Sequence, residues 1–177
     1  MLAQPTDAVV RVVLACVCGS DLWFYRGESP FEQGPIGHEF IGVVEDVGGE
    51  VRDLSKGDLV IAPFAFSDGS CPHCRHGITT ACVNGGFWAA GGIDGGQGEA
   101  VRVPLADSTL VRVPGSGHSN EMLASLLTLS DVMATGHHAA VYADVRPGRA
   151  VAVVGDGAVD LSACWPPSAW APSGSSR

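Results

Sequence analysis

The sequence predicts a mainly β protein with some α structure, and three observations carry that expectation. Apolar segments at 9–17, 40–47 and 59–64 are short, rich in β-branched residues and separated by turn formers. Glycine is abundant, at 24 of 177 residues, as suits a chain that reverses direction often. Beyond Gly117 the apolar spacing changes from strand-like to helix-like.

In chain order, the three apolar segments read as strands of an all-β unit. From Ser67 to Gly98 the pattern breaks into Gly, Cys, His, Asn and Asp, an excursion long enough to need some local device to order it. Two more strands are expected near 100–104 and 109–113. Ser119 or Asn120 can then cap a helix, Glu121 suits its first turn, and Met122, Leu123, Leu126 and Leu127 form one apolar face. This predicts a helical stretch from about Glu121 to Tyr142, with Ser130 the candidate break. Pro147 and Gly148 turn the chain into 150–154, an unbroken apolar run of the kind found in buried parallel strands. No internal repeat is visible.

A chain that is 46% hydrophobic and 16% charged buries a substantial core. Its formal net charge of -9 repels nucleic acid and anionic membranes, so neither is an expected partner and a small molecule is. No run approaches the ~18 apolar residues of a membrane span. The start MLAQPTDAVV lacks the basic flank and apolar core of a signal peptide, so a cytoplasmic location is expected. In that compartment six cysteines read as metal ligands or small buried hydrophobes rather than disulfides.

Cys71, Cys74 and Cys82 stand as C-x2-C-x7-C, with Asp68 three residues before the first. Three thiolates and one carboxylate close a tetrahedral zinc site that leaves no place for water or substrate, which makes it structural. His73 and His76 are the alternative fourth ligands. A second set is scattered: Cys18 in CGSD, His38 and Glu39 in GHE, and Asp131 in TLSDVMATGHH. On spacing alone, Cys18 is more often a buried strand cysteine and His38 a satisfied polar residue. His137 and His138 follow the helix pattern and are assigned no chemistry.

Together, CVCGSDLWFYRG, GPIGHEFIGVVEDVG, CPHCRHGITTACVNGGFW and LSDVMATGHHAA resemble the medium-chain zinc-dependent alcohol dehydrogenases, over roughly Ala8 to Gly157. The resemblance implies a GroES-like β-barrel catalytic domain, here 1–145. After it comes only the first strand of an NAD(P)-binding Rossmann α/β domain, at 146–160, and then a non-native or disordered tail at 161–177. It implies an oxidoreductase that moves hydride between an alcohol or aldehyde and NAD or NADP, and a homo-oligomer in complete relatives. Catalytic zinc would sit on Cys18, His38 and Asp131, with Glu39 as a close or transient ligand, and structural zinc on Asp68, Cys71, Cys74 and Cys82. Three protein ligands leave one coordination place for the substrate oxygen.

The resemblance also gives Asp21 the second ring nitrogen of His38, fixing the imidazole tautomer, and gives Ser20 the outward passage of the alcohol proton. Without it, Asp21 reads as a turn-capping carboxylate and Ser20 as a turn hydroxyl. Many relatives place histidine five residues after the first zinc cysteine; here that residue is Trp23, which puts a longer relay in doubt. The family's structural lobe commonly uses four cysteines, and Asp68 in place of the first predicts a weaker zinc, thiolate being the softer ligand. Thr135 would approach the nicotinamide, and Trp23, Phe24 and Trp88 are candidates to line an apolar cleft.

The run VAVVGDGAVD reads as strand followed by G-x-G-x-x-D. Gly155 and Gly157 fit a dinucleotide turn, whereas Asp160 stands where glycine is wanted for close packing. No acidic residue follows for a ribose contact, and adjacent prolines after Trp165 forbid the helix expected there. Codons regrouped one base earlier can encode an amphipathic helix, so a frameshift near 160–163 is the expectation for the gene. The chain is accordingly expected to be truncated within the Rossmann domain, shortened at its N-terminus and inactive alone. The alternative is a non-enzymatic zinc-binding module or inert remnant.

Overall fold

The computed structural model describes residues 1–30, 34–89, 93–146 and 148–164. The chain divides into two compact units, Met1–Ser130 and Asp131–Arg177, so the division falls at Ser130, inside the stretch 1–145 expected as one domain.

In the first unit the order is β1 (Ala8–Ala15), α1 (Asp21–Tyr25), β2 (Phe40–Val47), β3 (Leu59–Ala62), β4 (Ala65–Phe66), α2 (Pro72–Arg75), β5 (Gly86–Phe87), β6 (Ala100–Val103), α3 (Ala106–Thr109), β7 (Val111–Arg112) and α4 (Asn120–Leu127). Five strands pair antiparallel in the order β6, β1, β2, β3, β7, and β4 pairs with β5 separately. The third expected strand, 59–64, is interrupted after Ala62 by Pro63, which has no N–H to give a ladder.

Side-chain alternation divides the sheet between two cores. Ala8, Val10, Phe40, Val44, Val60, Ala62, Val101 and Val103 pack together on one face with Phe66, Trp88 and Leu110. Ile41 and Ile61 point the other way, onto Val113 and the Leu123, Leu126 and Leu127 face of α4. Leu14 joins this second core although Val10 and Val12 belong to the first. The register explains it: Val12 pairs with Gly42 but Leu14 with Ile41, so Val13 is an extra, bulged residue that reverses the strand's facing. The bulge redirects the chain just before Cys16 and Cys18. At Gly42 a Cβ would land on the Arg11 carbonyl oxygen, so only glycine lets β1 and β2 approach.

The cap of α4 is Ser119, whose Oγ accepts from Met122 N at 3.2 Å. The expected long helix is indeed interrupted: α4 ends at Leu127, a 3-10 turn spans Thr128–Ser130, and a new helix follows. The cause is Ser130, which is buried, donates through Oγ to Phe40 O at 3.3 Å and accepts at its carbonyl from Phe64 N at 2.9 Å. Those bonds tie the turn to the β-sheet and take it off the helical path.

The second unit contains α5 (Val132–Tyr142) and α6 (Ala158–Ala163). They meet at Gly136, where a Cβ would run into Ala163 N, Ser162 Cβ and Val159 O. The strand expected at 150–154 is absent among the described residues, and Val151 and Val154 are exposed by 53% and 95%. A buried parallel strand needs a partner strand and cover on both faces, and the described residues supply neither. The segment expected as a tail begins inside a helix, since α6 extends to Ala163; 165–177 lie outside the described residues. Among the described residues no helix is long and apolar enough to cross a membrane.

Candidate metal centres

After β1 the chain runs through Cys16 and Cys18 into a tight turn, in which Cys18 N donates to Asp21 Oδ2 at 2.9 Å and Asp21 N donates to Cys18 O at 3.1 Å. Ser20 is the N-cap of α1 but makes no side-chain capping bond. His38 and Glu39 arrive from the other direction, between Gly37, at φ +90°, and the start of β2. Cys16 N donates to Glu39 O at 3.2 Å and ties the two segments together. Ligand atoms of Cys18, His38 and Glu39 thereby lie within 4.8 Å of one another.

The ring of His38 is held between two carboxylates: Nδ1 is 3.6 Å from Asp21 Oδ1, and Nε2 is 3.8 Å from Glu39 Oε1. Asp21 and Glu39 are 4% and 3% exposed, so both charges face the site and not bulk water. Two contributors here escaped sequence reasoning. The Cys16 thiol donates to Glu39 Oε2 at 3.1 Å; burial, reinforced by that hydrogen bond and the Glu39 charge, pushes it up to about 12. Cys16 is therefore a protonated donor, unlike a ligand thiolate. Gln97 Nε2 donates to Asp21 Oδ2 at 2.9 Å from the segment before β6. Glutamine in DGGQGEA carries no motif signal, so only the fold reveals it.

Asp131 opens the second unit, one peptide bond beyond the anchored Ser130. Its backbone, at φ -149° and ψ -70°, is not helical, and its Oδ1 accepts from Thr135 Oγ1 at 2.6 Å. Of the aromatic candidates, Trp23 is half exposed on α1 and Phe24 is partly buried. Trp88 is a core residue: it is 4% exposed, lies 5.1 Å from the Phe40 ring, and donates through Nε1 to Pro63 O at 2.7 Å. The expectation that it lines a cleft is corrected accordingly; its indole N–H is satisfied by a carbonyl in the barrel wall.

The second cluster is the device that orders the long excursion. Pairing of β4 with β5 closes the base of the lobe, and Asp68, Cys71, Cys74 and Cys82 place ligand atoms within 4.8 Å of one another inside it. Cys71 Sγ is 3.5 Å from Cys74 Sγ and 3.9 Å from Cys82 Sγ. Backbone N–H groups, that of Cys74 first, hold the Cys71 thiol below its ordinary range, whereas burial and the bond to Cys71 push Cys74 up to about 12. The Asp68 carboxyl is held well below the carboxylate range by the N–H groups of Cys71, at 2.9 Å, and Ser70, at 2.7 Å, and by Asn84 Nδ2, at 2.6 Å. His73 and His76 are not in the cluster, and His76 Nδ1 pairs with Pro72 O at 2.7 Å.

The remaining candidates, Gly155 and Gly157, precede α6. The Gly157 N–H donates to Asp160 Oδ2 at 3.0 Å, and a Cβ at Gly155, where φ is +132°, would fall on the same carboxyl group. The turn is filled by the chain's own carboxylate.

One antiparallel sheet with a core on each face, a cysteine-rich lobe and a convergence of Cys, His and Glu are the features of a zinc-binding, GroES-like domain. Residues 4–115 match the model of the alcohol dehydrogenase GroES-like domain, and the chain belongs to that family. It is similar to the alcohol dehydrogenase TADH from Thermus sp. ATN1, at 38% identity and a TM-score of 0.85, covering 92% of this chain and 47% of that one. Its similarity to the alcohol dehydrogenase of the hyperthermophilic archaeon Aeropyrum pernix covers 91% of this chain and 48% of that one, at 33% identity and a TM-score of 0.79. The glutathione-independent formaldehyde dehydrogenase of Pseudomonas aeruginosa is 38% identical over 165 residues, which are 88% of this chain and 41% of that protein. The chain thus spans less than half the length of these relatives.

Proposed function

We propose that this chain provides the zinc and substrate side of an alcohol or aldehyde dehydrogenase, with a catalytic zinc held by Cys18, His38 and Asp131 and a structural zinc held by Asp68, Cys71, Cys74 and Cys82. The observation that carries the reading is the convergence of Cys18, His38 and Glu39 with Asp21 behind the His38 ring. The donor chemistry fits: thiolate and imidazole are preferred zinc ligands, and a carboxylate behind the imidazole is the usual outer support. When bound there, zinc supplies Lewis acidity to an alcohol or aldehyde oxygen.

The protein's own groups then have distinct tasks. Asp21 orients His38 by its charge on Nδ1. Glu39, held by the Cys16 thiol, is a carboxylate in reserve beside the ligand cluster. Ser20 stands at the mouth of the α1 turn with an uncommitted capping position, where it accepts the alcohol proton and passes it outward. Trp23 stands where a histidine would extend that path, so the relay ends at Ser20 and solvent. Thr135 supports Asp131 through its hydroxyl, and in a complete relative would face the nicotinamide.

Gly155 and Gly157 do not fit NAD or NADP as they stand, because Asp160 takes the Gly157 amide and adds negative charge where a diphosphate would lie. No step is derived through the dinucleotide. That observation favours a second reading, a zinc-binding module without turnover. The free cysteines suit a reducing compartment, which supports a cytoplasmic setting under either reading. Zinc content by elemental analysis, with Cys18→Ala and Cys82→Ala alongside, tests the proposal. Two zinc ions, each lost with its own variant, are expected; one zinc, lost only with Cys82→Ala, would overturn the catalytic centre. Zinc-dependent NAD(P)H formation with simple alcohols would exclude the reading without turnover.

A further inference from the structure

The carboxylate behind His38 is itself held by a residue to which no role is assigned. Gln97 Nε2 donates to Asp21 Oδ2 at 2.9 Å and to Cys16 O at 3.2 Å. Both neighbours are acceptors only, so the amide nitrogen must face them, and both of its protons are used. Asp21 Oδ2 also accepts from Cys18 N at 2.9 Å, which leaves Asp21 Oδ1 to face His38 Nδ1. Gln97 is brought there by its backbone: Gln97 N donates to Ile36 O at 2.9 Å and Gly96 N to Gly37 O at 2.7 Å. Its side chain lies against Gly37, where a Cβ would come within 2.5 Å of Gln97 Cγ. The segment that carries His38 is thus shaped to admit this one side chain.

We propose that Gln97 is a positioning residue for the metal-binding imidazole, acting through Asp21: it fixes the carboxylate rotamer that holds His38 in one tautomer, and it ties the Cys16 and Cys18 turn to the same frame. The inference rests on the reading of Cys18 and His38 as metal ligands. Without Gln97, Asp21 Oδ2 keeps a single backbone donor. The carboxylate can then rotate about χ2, and the imidazole loses its fixed partner. Outer partners of metal-ligating histidines typically change affinity by about 10- to 100-fold; Gln97 acts one bond further out, and about tenfold is expected.

The test is cobalt(II) titration of the full 177-residue chain, followed by its thiolate and d–d absorption bands, with Cys18→Ala and Cys82→Ala to assign each site. Gln97→Leu should weaken the Cys18 site about tenfold and leave the Cys82 site unchanged, so that the lobe reports on folding. Gln97→Glu, which turns an acceptor toward two acceptors, should weaken it further. In Asp21→Asn protein, Gln97→Leu should add little, because the route through Asp21 is already broken. The His38 15N shifts of the metal-free chain give a readout independent of metal: a single tautomer in the wild type and a mixture in Gln97→Leu. Unchanged affinity and tautomer, equal losses at both sites, or full additivity with Asp21→Asn would each overturn the inference. If Cys18→Ala leaves both cobalt sites intact, the underlying reading of the site fails instead, and the tautomer measurement still decides the link from Gln97 to His38.

Discussion

Asn84 Nδ2 donates to Asp68 Oδ2 at 2.6 Å, across the mouth of the cysteine lobe. The other oxygen, Oδ1, already accepts from Ser70 N and Cys71 N, so both of its lone pairs are occupied. One acceptor position on Oδ2 is left for a metal, and Asn84 aims it. Asn84→Ala should therefore weaken zinc at this site by about tenfold without touching the Cys18 site. Asp68→Cys should tighten it, since thiolate is the softer ligand. Chelator competition on each variant measures both changes, and an Asn84→Ala affinity equal to wild type would show that the carboxylate needs no support.

The convergence of Asp68, Cys71, Cys74 and Cys82 was legible in the cysteine spacing, and the sheet strands because short β-branched runs between turn residues have few other uses. What stayed hidden depends on three dimensions. Val13 reads as one more strand residue, yet as a bulge it changes which face Leu14 serves. Cys16 and Gln97 reach the Cys18 site through bonds to residues 23 and 76 positions away, which no local pattern encodes. Trp88 beside the lobe invited a ligand-facing role, but its neighbours Phe40 and Phe66 come from distant strands and make it core. At 150–154 the apolar run gives a strand signal, and no described strand flanks it to turn that signal into structure.

The Cys16 thiol gives a pH signature for the metal-free chain. Its value rises on folding from 9.0 to about 12, so between those limits the folded state holds a proton that the unfolded state has released. Stability is then fully present below pH ~9 and falls as pH rises toward ~12. Urea midpoints measured across that window should decline in the wild type and decline less steeply in Cys16→Ala. Equal slopes would place the effect elsewhere, for example on Cys74, which is also pushed up to about 12.

Zinc capture at the lobe should release protons for the same reason. Cys74 is a thiol at neutral pH and must become a ligand thiolate, so affinity should increase about tenfold per pH unit for each proton released. Calorimetry in buffers of different ionisation enthalpy counts those protons. A heat of binding independent of buffer would contradict the protonated state of Cys74.

Gly136→Ala tests the packing of α5 on α6. Helix propensity alone predicts a gain of about 1 kcal/mol, because alanine replaces glycine within a helix. Against that, the new methyl would meet Ala163 N and Val159 O, backbone atoms that cannot rotate away, and overpacking of this kind costs about 1–3 kcal/mol. The clash should prevail and loosen α6. Faster amide exchange at Leu161 and Cys164, which donate to Gly157 O and Asp160 O, is the expected result; slower exchange would mean that propensity decides.

Asp160 makes the last prediction, about the dinucleotide. Its carboxylate occupies the Gly157 N–H and lies against Gly155, so a diphosphate arriving at this turn meets a taken donor and a like charge together. NADH added to the chain should give no saturable change in nicotinamide fluorescence. Asp160→Asn separates the two causes: it removes the charge but keeps an oxygen on the Gly157 amide. If occupancy of that donor is what excludes the diphosphate, Asp160→Asn remains silent as well, and if charge alone excludes it, binding appears in that variant. Saturable binding to the wild-type chain would refute both and return Gly155 and Gly157 to the cofactor site.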